Sequence, residues 1–190
     1  STCAYGGTLD ASKISQVWME KEKELKDAHT KEEIAFKKKD WLLLDAKRLV
    51  LENSFDYTIE TLGVYSNLKI CEMACQIIVK KLQNLINIIQ TNKDIIKPSD
   101  NTIPNSYDVT LEGEDYTIGK ILEFVLYDKY FGHEITFCGF RKPHPHIDTS
   151  LLRVAFKVDI DNTEIISYLV NACSMNIEIY EKLSKNFTRD

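Results

Sequence analysis

Residues 68–90 place the tightest limit on this chain: Ile70, Ala74, Ile77, Ile78, Leu82, Leu85, Ile86 and Ile89 fall on one broad helical stripe. Twenty-three residues at 1.5 Å each make a helix of about 34 Å. An apolar stripe of that length demands a substantial partner surface. The best stretch within it, Gln76-Ile-Ile-Val79, stops at Lys80 and Lys81. Nothing approaches the roughly 18 apolar residues of a membrane helix, so a soluble chain with no membrane partner is expected. With 190 residues, 44% of them apolar, one or two ordinary domains fit the length. Only 7 Gly and 4 Pro exclude a collagenous or low-complexity chain. The net charge is −5, from 24 basic and 29 acidic residues. Independent nucleic-acid binding is therefore disfavoured, and contact with DNA is expected only through partners. Five cysteines without framework spacing point to reduced thiols in a cytosolic or nuclear setting. The chain opens abruptly at Ser1 with no basic-then-apolar leader, and further sequence upstream is expected.

The first third reads as a charged helical region. Between Glu20 and Asp40 basic and acidic residues balance, and Glu22/Lys26 and Glu33/Lys37 stand one turn apart, as on a solvated helix. Asp10 is placed to cap a first helix. Thr30 with Glu33 forms a capping box for a second, expected to run through Trp41, Leu44 and Ala46. Phe55, Tyr57 and Ile59 then alternate with polar neighbours, predicting a half-buried strand that ends at Gly63. After the long helix, residues 91–106 are polar, carry Pro98 and Pro104 and show no period, which makes them the natural boundary between modules. Beyond it the pattern predicts a strand over 107–112, a helix over 117–130, strands over 134–140 and 151–158, and a helix over 162–186. The order is βαββα and the fold class α+β. The expected division is 1–97, a linker at 98–106, and 107–190.

An internal echo links the two parts. Phe55, Tyr57 and Ile59 align with Leu152, Val154 and Phe156 at an offset of 97, and Ala74-Cys75 with Ala172-Cys173 at an offset of 98. Small residues at matching places on two long apolar helices suit close helix packing, so two related halves paired about a pseudo-symmetry axis are expected. Ile78 and Ile177 would lie within that pairing.

The segment 114–122, Glu-Asp-Tyr-Thr-Ile-Gly-Lys-Ile-Leu, is followed by Phe137-Cys-Gly-Phe-Arg-Lys-Pro-His-Pro145 and by Leu151-Leu-Arg-Val154. Together these resemble the small α-like subunit of cellular RNA polymerases, the eleventh subunit of RNA polymerase II, with Tyr116 in place of the usual His and Lys120 in place of the usual Asn. The likeness covers 107–190. The first part, through Asp40-Trp41, Ala46-Lys-Arg48 and Phe55–Gly63, is similar to the C-terminal half of the other α-like subunit, the third-largest. Both on one chain resemble the fused form of large cytoplasmic DNA viruses.

That resemblance implies two α-like dimerisation modules whose long helices pack between the halves. It also implies a non-catalytic platform for the second-largest and largest polymerase subunits, alongside small polymerase subunits. No cofactor is implied. Location would be the viral factory or virion in the cytoplasm for a viral chain, and nuclear otherwise. The expected docking residues are Asp115, Tyr116, Thr117, Gly119, Gly139, Phe140, Pro143, His144 and Pro145, with Ala74, Ile78, Ala172 and Ile177 between the helices. A tether that holds the halves at about mM, against free subunits at about μM, favours pairing by roughly 4 kcal/mol.

Other chemistry is weaker in the pattern. Gly119 follows no Gly-rich loop and no Gly-Lys-Ser/Thr. It reads as a position where another backbone comes close, beside a helix cap supplied by Asp115 or Thr117. No Asp-rich magnesium loop for nucleotidyl transfer is visible. Cys71 and Cys75 lie one turn apart with no second pair, as small buried thiols do. The alternative from another class is a small Cys- or metal-dependent enzyme that uses Cys138, His144 and His146.

Overall fold

Short capping residues set the boundaries of the first elements. In the computed structural model, which describes residues 2–188, strand β1 (Thr2–Leu9) leads into helix α1 (Ala11–Lys26). The Asp10 carboxylate accepts the Lys13 N–H at 2.9 Å and so satisfies an otherwise orphaned first-turn donor. Helix α2 (Lys31–Leu43) starts with both halves of the expected box: Glu33 N–H to Thr30 Oγ1 and Thr30 N–H to the Glu33 carboxylate. The helix does not reach Ala46. Leu44 leaves helical backbone geometry (φ −115°, ψ −82°), and residues 45–48 form a tighter 3-10 turn. That turn buries Ala46 in a small cluster with Trp18 and Trp41. The two indole rings lie 5.5 Å apart, with Lys38 over Trp18 and Lys21 over Trp41.

Strand β2 (Val50–Glu60) pairs antiparallel with β1, placing Tyr5 opposite Tyr57 and Gly7 opposite Phe55. This corrects the half-buried reading of 54–62. Phe55 is 53% and Tyr57 64% exposed, because the two-stranded ribbon has no further layer within its own unit against that face. Nor did alternation announce β1, whose Gly6 and Gly7 interrupt the apolar spacing.

The chain divides after Asn67 into two units. The second contains helix α3 (Asn67–Thr91), strand β3 (Ile96–Pro98), strand β4 (Ser106–Glu112), helix α4 (Tyr116–Tyr130), strand β5 (Ile135–Arg141), strand β6 (Thr149–Phe156) and helix α5 (Asn162–Phe187). From β4 onward this is the expected βαββα order. The sheet runs β3-β4-β6-β5 with every neighbour antiparallel. β3 is an addition, drawn from the stretch that sequence patterning left as an aperiodic boundary.

One row of side chains, Val109, Leu152 and Phe140, faces the helices and is buried. The adjacent row, Asp108, Arg153 and Gly139, lies on the opposite face by the two-residue period of a strand. Helix α5 contributes Ile165, Leu169, Ala172 and Cys173 to the core. Helix α3 contributes Leu82 (0% exposed), Leu85 (5%) and Ile89 (0%) to the same core, with Ile78 and Ile86 partly buried beside it. Cys75, Ile78, Leu82, Leu85 and Ile89 recur at spacings of three and four, the seam along which one helix lies on another layer. No helix among the described residues is long and apolar enough to cross a membrane.

Candidate interaction site

The motif segment 114–122 sits where three elements converge. Lys81 of α3 meets Glu114 at 2.8 Å, and the Ser150 hydroxyl of β6 donates to the Glu114 carbonyl at 2.9 Å. Asp115 caps α4 by accepting the Thr117 N–H at 3.0 Å. That bond holds the Asp115 carboxyl below its usual range, with lesser help from Lys81 and Lys142. Asp115, Tyr116 and Thr117 are all exposed.

Gly119 is different. It is buried, and a Cβ built there would run into the Phe140 ring. The space that sequence patterning left for another backbone is filled from within, by an aromatic side chain of β5. Tyr116 closes over the same ring edge-on, with centroids 5.4 Å apart. Glu123 then ties the helix to the sheet edge. Its carboxylate accepts the Phe140 N–H at 2.8 Å and is held by Lys120 at 2.8 Å. On the other side of α4 the buried Asn176 amide donates to the carbonyls of Ile121 (3.2 Å) and Ala172 (2.9 Å), joining α5 to α4. Neither Glu123 nor Asn176 was singled out from the sequence. Their partners lie 17 and 55 residues away, and no local pattern encodes such a pairing.

The remaining predicted residues separate into two groups. Gly139 is half-buried beside Phe137, while Pro143, His144 and Pro145 stand exposed in the loop after β5. Ala172 is buried in the core; Ile78 and Ile177 are partly buried against it; Ala74 is exposed. On the outer face of the sheet Arg153 grips Asp108 through two bonds, 2.6 and 2.7 Å.

The Cys–His alternative finds poor chemistry. Cys138 packs against the core, where burial and then Glu123 push its thiol up to about 12, the opposite of an activated nucleophile. His144 and His146 are exposed, and His144 Nδ1 accepts the His146 N–H at 3.1 Å. Among the described residues no cluster of three or more His, Cys, Asp or Glu could hold a metal ion.

Residues 106–186 match the RNA polymerase Rpb3/Rpb11 dimerisation domain. A protein of Acanthamoeba polyphaga mimivirus named for a DNA directed RNA polymerase subunit, R470, is 33% identical over 135 residues, covering 70% of this chain. The match spans only 35% of the R470 protein. The DNA-directed RNA polymerase II subunit RPB11 of Schizosaccharomyces pombe is 32% identical over 91 residues, covering 48% of this chain and 69% of RPB11. The βαββα unit, the capped motif helix and these matches agree: the chain belongs to the Rpb3/Rpb11 family of α-like RNA polymerase subunits.

Proposed function

We propose that this chain is a non-catalytic assembly platform of a DNA-directed RNA polymerase. It pairs an α-like half over 1–97 with a second over 107–190 inside one polypeptide, and it docks the second-largest and largest subunits. The observation that carries this reading is the placement of α3. This helix lies outside the segment matched to the dimerisation domain, yet it buries Leu82, Leu85 and Ile89 in that domain's core. Each such side chain contributes about 1.5–3 kcal/mol when fully removed from water. A domain built to dimerise thus carries a covering helix in cis. Asp115, Tyr116 and Thr117, exposed at the start of α4, and the 143–145 loop after β5 form the docking surface in this reading. Smaller polymerase subunits bind the assembled platform, and DNA is reached only through the complex. The mimivirus relative favours a viral polymerase working in the cytoplasm.

Affinity purification of the tagged chain from cells that contain the polymerase, followed by mass spectrometry, tests the proposal. The two largest subunits should co-elute in stoichiometric amounts. Elution of the tagged chain alone, from an extract with active polymerase, would refute it.

A further inference from the structure

The outer face of the sheet carries a built notch that the assembly reading leaves unassigned. At register positions where Asp108, Arg153 and Gly139 lie side by side across three strands, the Phe137 ring leans over Gly139, and beside them lies a cleft of about 160 Å³. Phe137 and Leu151 supply apolar walls, and Arg141 and Arg153 line it with positive charge. The two guanidiniums are not equivalent. Arg153 is committed to Asp108 through its bidentate bond, whereas Arg141 is exposed and its guanidinium makes no ion pair or hydrogen bond with the described residues. Its field nevertheless reaches Asp108, one of the groups that lower that carboxyl's pKa. Two guanidiniums against one carboxylate leave the notch with a net charge of about +1, on a chain whose total is −5.

We propose that this notch receives a glutamate side chain from another polymerase subunit, its methylenes against Phe137 and Leu151 and its carboxylate on Arg141. The proposal rests on the assembly reading and adds the chemistry of one contact. Charge complementarity selects the occupant: a neutral aliphatic tip would leave Arg141 unanswered, and a lysine would meet two guanidiniums. The carboxylate suits the planar fork of an arginine that has no other partner.

Two measurements test it. On the isolated full chain, hexaglutamate should produce saturable amide shifts at Gly139, Arg141 and Leu151, hexaglutamine should not, and R141A should lose the response. Arg141 is exposed, so R141A keeps its fold. Equal shifts with both peptides, or a response retained in R141A, would overturn the proposal. In the purified polymerase, R141K places an amine at the notch, and carbodiimide should join it to a glutamate of another subunit, with no such link in the wild type. An R141K complex that assembles but gives no link at position 141 also overturns it. Failure of the wild-type chain to co-purify would instead remove the assembly reading, leaving the peptide measurement to decide the notch.

Discussion

Truncation of Leu82 to alanine tests whether α3 is an integral layer of the second unit. Leu82 is wholly buried in the core shared by α3, α4, α5 and the sheet. Alanine is the strongest helix former, so Leu82→Ala removes packing without weakening the helix itself. Deleting a buried leucine's methyl and methylene groups costs about 2–5 kcal/mol, the spread reflecting how far the cavity relaxes. Taking about 3 kcal/mol and a urea slope of about 2 kcal/mol/M, the midpoint should fall by about 1.5 M. Ile77, counted in the sequence stripe but half exposed outside the buried seam of the same helix, is the control: Ile77→Ala should change stability by no more than about 0.5 kcal/mol. The assay has a convenient separation of signals. Both tryptophans, Trp18 and Trp41, lie in the first unit, so their fluorescence follows that unit alone. Hydrogen exchange at Val109, Leu152 and Leu169 amides follows the second. Loss of protection in Leu82→Ala but not in Ile77→Ala is expected there. Equal small effects from both variants would mean that α3 is not packed on the domain, and the argument for pairing in cis would fall with it.

Other perturbations follow from single contacts. Glu123→Ala should leave the Phe140 N–H unpaired at the sheet edge, costing about 1–3 kcal/mol and speeding exchange of that amide, while Glu123→Gln, which still offers an acceptor, should recover most of it. Gly119→Val should destabilise the second unit by about 1–3 kcal/mol or more, since its Cβ collides with the Phe140 ring. The pair Gly119→Ala with Phe140→Leu should be more stable than Gly119→Ala alone; lack of rescue would show that Phe140 is not the obstacle. The Asp108 carboxyl is lowered by its bond to Arg153, so its contribution is present above the unfolded value of about 3.9 and is lost as pH falls through the lower folded value. Asp108→Asn should accordingly flatten acid unfolding curves between about pH 4 and pH 2, and an unchanged slope would contradict the assignment. Native-state thiol titration with a disulfide reagent at pH 8 should modify exposed Cys3 quickly, while Cys138 and Cys173, both raised to about 12, react only on unfolding.

What the sequence made legible was what repeats locally. The apolar stripe of α3 from Ile78 to Ile89, the strands near 107–112 and 151–158 and the caps at Asp10 and Thr30 are short-range features, and each appears in the structure, while Ala74 and Ile77 of the stripe stand exposed and Asp115 rather than Thr117 caps α4. Strand β3 was invisible because three residues that include Pro98 have no period of their own, and pairing with β4 alone makes them a strand. The end of α2 was missed because Ala46 is drawn out of helix by the two tryptophans it covers, a tertiary effect. Phe55 and Tyr57 carry the alternation of a buried strand face while standing exposed, since alternation records only that a face is apolar, not what lies on it.

The same distinction governs the site. At Gly119 the sequence announced that something comes close to the helix, and a second backbone was the natural reading. The occupant is Phe140, 21 residues later and on a strand, and nothing near Gly119 names it. A small residue is a record of a missing volume, and the identity of what fills the volume is written elsewhere in the chain. α3 poses that problem on a larger scale. Its seam proclaims a partner surface, and by resemblance the helix goes with the first part of the chain. Yet its buried leucines are counted in the core of the second. If the first part of the chain is the second α-like half proposed above, resemblance and packing cut the polypeptide at different places. On that proposal, α3 lets one chain cover an apolar face that a dimerisation domain otherwise covers with a second copy, and Leu82→Ala is the variant that tests it.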